Sequence, residues 1–170
     1  MTSIREKIIA WLVDEGHEVQ GETPPKEAPV EWILRVTAKI PPVVARIVIQ
    51  QPSTAKDRVV LTLGVVVSPE HKSALSALTP VDRQEIVYNI IRDAYLVCPD
   101  CIIIVQPDYI NTQNIVITEV IYHEELSKPR LTGSIRKLAN LLALISAGFN
   151  AHLRVVPKTR SEDKQPPSII

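Results

Sequence analysis

The chain has 170 residues, its 19 Lys plus Arg balance 19 Asp plus Glu, and only 4% of its residues are aromatic. That length fits one domain with a core of its own, built from Ile, Val, Leu and Ala because aromatics are scarce. Zero formal charge argues against a dedicated nucleic-acid binder, whose affinity needs a basic excess, and no apolar run reaches the roughly 20 residues that cross a bilayer.

In chain order, Ser3 and Glu6 form a capping-box pattern. Ile4, Ile8, Trp11 and Leu12 then recur at helical spacing, and Gly16 offers a stop. Residues 20–30, QGETPPKEAPV, read as a Pro-rich connection. Residues 32–40, WILRVTAKI, alternate as a strand: Trp32, Leu34, Val36, Ala38 and Ile40 on one side, Ile33, Arg35, Thr37 and Lys39 on the other. Pro41-Pro42 ends it, and two further strands follow at 43–50 and 58–67. His71, in SPEHK, reads as a surface loop residue.

Thr79-Pro80 with Asp82 announces a helix whose buried face is Ile86, Val87, Ile90, Ile91 and Ala94, ending near Cys98-Pro99. CIIIV (101–105) and NIVITEVIYH (114–123) read as a strand pair. Thr132 is expected to cap a last helix running from about Gly133 to near Phe149. The domain spans 1–156, and the polar, Pro-rich residues 157–170 read as a flexible tail. The N-terminus shows no signal-peptide pattern, so the expected location is cytoplasmic, with no membrane partner.

The class is therefore α+β with a mainly antiparallel sheet, in the order helix, three strands, helix, two strands, helix. Helices should cover one sheet face. The other face is too apolar for water: Val60 and Val66 lie on it, as do Val116, Val120 and Tyr122. The last helix carries Leu138, Leu142, Ile145 and Phe149 on one stripe and Ala139, Ala143 and Ala147 on another. Covering so much apolar surface calls for a homodimer, weighed against a monomer whose long loops cover the second face.

This element order resembles the type III secretion chaperone-like fold. The stretches DRVVLTLGVVVSPEHKSAL, CIIIVQPD and VIYHEELSKPRLTGSIRKLAN resemble an uncharacterised archaeal family placed with that fold, over about residues 3–150. The resemblance implies a homodimeric, chaperone-like scaffold that binds another protein, often by strand addition. Neutral charge departs from the acidic secretion chaperones, so the architecture carries over and the secretion role does not.

Candidate chemistry is sparse. Cys98 and Cys101 form a C-x-x-C, but a helix precedes them and a strand follows, so the helix dipole opposes a thiolate. One such pair supplies only two of four zinc ligands, and His17, His71, His123 and His152 are scattered. The pair reads as small apolar residues in a turn, with a local disulfide or metal site as alternatives. LSKPRLTGSIRK places Lys128, Arg130, Thr132, Gly133, Ser134 and Arg136 around an expected helix N-terminus, an anion-site candidate weighed against an ordinary capped helix with a basic rim. Arg35, Lys39, Arg46 and Arg58 form a basic strand face unless acidic neighbours neutralise it. In YHEEL, His123 and Glu124 should face opposite sides of a strand, and Glu125 completes no catalytic motif. The expectation is a non-enzymatic, cofactor-free homodimer that binds a protein. The alternative is a regulator binding a small anion, nucleotide or RNA at the last helix, with nucleic acid disfavoured by the charge balance.

Overall fold

A computed structural model describes residues 3–154. The elements are α1 (Ile4–Asp14), β1 (Glu18–Glu22), β2 (Val30–Ile40), β3 (Val43–Pro52), β4 (Arg58–Val66), α2 (Pro69–Ser76), α3 (Pro80–Val97), β5 (Ile102–Gln106), β6 (Asn114–Tyr122) and α4 (Lys128–Leu153). The architecture is α+β in the anticipated order, with two additions, β1 and α2. The residues read as a flexible tail, 157–170, lie outside the described residues.

All six strands join one antiparallel sheet in the order β1-β2-β3-β4-β6-β5. Alternation behaves as read. Leu34, Val36 and Ala38 of β2 are buried, as are Ala45, Ile47 and Ile49 of β3, Val59, Leu61 and Leu63 of β4, and Ile115, Ile117 and Ile121 of β6. These side chains meet the helices, because a strand sends alternate residues to opposite faces.

The helices pack on that one face. The Ser3–Glu6 capping box is present at α1, and Gly16 follows the helix at φ 79°, a backbone conformation glycine adopts without steric cost. Thr79 caps α3 through the amide of Asp82. In α4, Leu138, Ala139, Leu141, Ile145 and Phe149 are buried. Ala147 is exposed, so the alanine stripe does not stay covered along its length. Gly148 permits a close α3–α4 approach: a Cβ there would stand 3.0 Å from Ile90 Cγ1.

Three expectations are corrected. β1 occupies the start of the stretch read as connection; with only Val19 to bury, it has no apolar period, and backbone pairing to β2 and ion pairs hold it. The Glu18–Lys39 and Glu22–Arg35 pairs supply the latter. α2 replaces the loop around His71: Ser68 caps it, Pro69 suits its first turn, and Leu75 anchors it. His71 is half-buried, with Nε2 2.8 Å from Asn150 Oδ1 in α4. Finally, α4 begins at Lys128 with Ser127 as its cap. Ser127 stands just ahead of Pro129, whose fixed φ suits a first turn, and this earlier signal wins over Thr132.

His17 follows α1 and is largely buried, with Nδ1 lacking a hydrogen-bond partner. Burial pushes its imidazole below the ordinary 6.5; Glu15 opposes the shift and Arg136 reinforces it. The native state therefore binds this proton less readily than the unfolded chain. The stability from keeping His17 neutral is complete above 6.5 and is lost as pH falls below it. Urea unfolding across pH should show stability declining as pH falls below 6.5, before carboxylates with lowered values such as Asp14 and Asp57 titrate. In His17→Leu that decline should flatten; an unchanged slope would reject the assignment.

Candidate functional site

Across the helix-free sheet face, register places Ile102, Thr118, Thr62, Val48 and Arg35 in one row. A second row holds Ile104, Val116 and Gly64. Over β3, β4, β6 and β5 the face mixes aliphatic residues with Arg46, Gln50, Arg58, Thr62 and Thr118, and four apolar side chains stand well out of it: Val44 at 60%, Val66 at 71%, Ile102 at 54% and Ile104 at 49% exposure. Arg35 and Lys39 lie at its β1–β2 side.

The basic strand face largely dissolves into ion pairs. Arg35 pairs with Glu22 at 2.5 Å, Lys39 with Glu18, and Arg58 with Asp57 at 2.8 Å. Arg58 also lies 4.7 Å from the Tyr122 ring centroid. Arg46 alone of the four has no acidic partner among the described residues. Solvent-exposed pairs of this kind contribute little stability, but they leave little free charge for a ligand.

The residues of LSKPRLTGSIRK separate into two groups. Because α4 starts at Lys128, Thr132, Gly133 and Ser134 lie inside the helix and not at its terminus. Lys128, Thr132, Gly133 and Arg136 line a shallow groove against Glu15 of the α1 end. Lys128 reaches both Asp14 and Glu15, and Arg136 stands 3.8 Å from Glu15. Asp14 and Glu15 thus meet the positive charge of this groove.

Arg130 and Ser134 turn instead toward Glu119 of β6, which is 2% exposed. Glu119 Oε1 accepts from Arg130 Nη1 at 2.9 Å, Ser134 Oγ at 3.0 Å and Lys137 Nζ at 2.8 Å. Oε2 is buried without a partner. Ser134 is fully buried and committed to this carboxylate, so it has no path to act as a nucleophile. The cluster pins α4 to β6. Sequence reading passed over Glu119, although it sits at the inward register of NIVITEVIY between Ile117 and Ile121. A carboxylate in an inward strand position was the signal.

In YHEEL, β6 ends at Tyr122, so His123 to Glu125 form a turn, and the strand expected at His123 and Glu124 stops before them. The His123 amide donates to Asp57 O at 2.8 Å. His152 is exposed in the last turn of α4.

Cys98 caps α3 and Cys101 precedes β5, the helix-to-strand turn that the sequence indicated. The two sulfurs are bonded, and both residues are buried. A bonded pair offers no thiolate to a metal or an electrophile. Native protein should show no thiol reactive toward a disulfide-exchange reagent until it is unfolded and reduced. Cys98→Ser with Cys101→Ser should cost about 2 kcal/mol, the chain entropy of so short a loop. Two titratable thiols in the native state would refute the bond.

A family model described as an uncharacterized conserved protein, DUF2299, matches residues 4–149. The chain belongs to the DUF2299 family. A crystal structure of an uncharacterized protein from Methanothermobacter thermautotrophicus is similar at a TM-score of 0.76 and 22% identity, covering 88% of this chain and 98% of that one. That likeness shows the fold. The crystal structure of YbjN from E. coli aligns at a TM-score of 0.48 and 14% identity, covering 88% and 93%; at that distance it says nothing of function. No curated protein matches the chain. Among the described residues no helix of this DUF2299 member is long and apolar enough to cross a membrane.

Proposed function

We propose that this DUF2299 protein is a homodimeric, non-enzymatic scaffold that binds another protein. The observation that carries the proposal is the helix-free face, from which the apolar side chains of Val44, Val66, Ile102 and Ile104 project. Six strands about 4.8 Å apart and averaging about eight residues make a face of roughly 800 Å² in plane. A standard interface buries roughly 800 Å² of accessible surface per partner, so this face is large enough for a two-fold contact.

The two sheet edges suggest where a partner segment is held. β1 is guarded by Glu18 and Glu22, charges of the kind that blunt an edge. β5, IIIVQ, carries no charge. The Ile103 carbonyl accepts a long 3.4 Å bond from the Tyr95 hydroxyl, which an incoming amide can displace. An extended apolar segment can add there as a seventh strand.

Light scattering at micromolar concentration tests the assembly. The expected mass is twice that of one chain, and a single-chain mass would overturn the dimer.

A further inference from the structure

We propose a second, independent site: a groove between α2, the start of α3 and the β5–β6 loop that binds a small dianionic ligand of the phosphate-ester class. Its volume is about 350 Å³, and Lys72, Ser76, Arg83, Asn111, Thr112 and Gln113 line it together with the apolar side chains of Leu75 and Ile110.

The charge of this groove differs from that of its neighbours. The α1–α4 groove contains Glu15, and the groove across β1–β3 contains Glu18. No carboxylate lines this one. Most described cations near a groove are met by an acid, as Lys128 and Arg35 are. Lys72 and Arg83 have no acidic partner among the described residues, yet they converge on the same 350 Å³. The whole chain is neutral, so a local charge of two is a feature of placement.

The site is also held ready. Arg83 donates from Nε to Leu78 O and from Nη2 to Ser76 O, both at 3.1 Å. Neutral carbonyls fix the guanidinium without cancelling its charge, and Nη1 remains for a ligand. On the opposite wall, Asp108 accepts from the amides of Ile110 and Asn111, each at 2.8 Å, and Thr112 Oγ1 donates to Asp108 O at 3.0 Å. These bonds order the loop that carries Asn111 and Gln113. Preorganised donors lose less entropy on binding.

A phosphate monoester carries about −1.5 to −2 at neutral pH and three acceptor oxygens, which matches the cations of Lys72 and Arg83 with the Gln113 amide beside them; the Ser76 hydroxyl donates to Lys72 O and the Asn111 amide to Asp108, so these two shape the wall. The size suits a small molecule. A nucleic-acid backbone would need a stripe of such charges, and this groove holds two.

The test is calorimetric titration of the full chain with inorganic phosphate and with pyrophosphate at constant ionic strength, alongside thermal unfolding. Binding should raise the melting temperature by mass action. Lys72→Ala should weaken affinity about tenfold or more, the loss expected for one charge-assisted bond. Arg83→Lys keeps the charge but loses the fork, and should weaken it as well. Arg46→Ala removes an unpaired cation elsewhere and should bind like wild type. No heat and no stabilisation in wild type would overturn the site, as would equal affinity in wild type and Lys72→Ala. Amide shifts on titration keep the test decisive should a variant fold poorly: they should centre on Ser76 and Gln113, and shifts centred on Gly133 would overturn it. Failure here would leave the dimer reading untouched, since that rests on the opposite sheet face.

Discussion

Removing both cations from Glu119, in Arg130→Ala with Lys137→Ala, should destabilise the protein by about 3–5 kcal/mol. The variant leaves a carboxylate that is 2% exposed with Ser134 as its remaining partner. An uncompensated buried charge costs far more than the Coulomb energy of a surface pair. Domains of this class have total stabilities of about 5–15 kcal/mol, so a large share would go. Urea unfolding should show the midpoint falling without a change in slope. Glu119→Gln should cost less, because Arg130 and Lys137 are 35% and 27% exposed and can turn to water. Replacing all three, with Glu119→Leu added to the double variant, should recover much of the loss, since an apolar substitute often equals a buried ion network. A double variant as stable as wild type would show that the cluster does not pin α4 to β6.

The second large effect concerns assembly. Val66→Lys with Ile104→Lys should convert a dimer to monomers, raising its dissociation constant about 100-fold or more. Both side chains stand out from the helix-free face, at 71% and 49% exposure, so the monomer should fold normally. Two-fold symmetry repeats each new charge on both copies, and buried like charges repel. Sedimentation or light scattering across a dilution series reads the result. A double variant that stays dimeric would move the interface off this face.

Much of the fold was legible, and for identifiable reasons. WILRVTAKI alternates so regularly that its inward and outward residues could be named, and burial of Leu34, Val36 and Ala38 follows that register. Thr79-Pro80 marked the start of α3 because a capping hydroxyl and a fixed φ act locally. β1 was not legible: its five residues hold together through partners on β2, Lys39 and Arg35, that no local pattern announces. α2 was missed because eight residues with one buried side chain make a weak period. The start of α4 was misplaced because Ser127 and Thr132 both have capping chemistry, and it is Pro129 in the first turn that ranks Ser127 ahead.

The candidate surfaces divide in the same way. The apolar character of the second sheet face, the C-x-x-C turn and the cations of LSKPRLTGSIRK are properties of residue type and spacing, so the sequence by itself determined them. Which cations stay free is a matter of who stands opposite. Lys128 meets Asp14 at a separation of 114 residues, and Arg130 turns inward to Glu119. Lys72 and Arg83 share a groove with Asn111 and Gln113 only because α2, α3 and the β5–β6 loop come together. Charge compensation decays over a few ångströms and takes no account of chain order, so only the tertiary structure decided it.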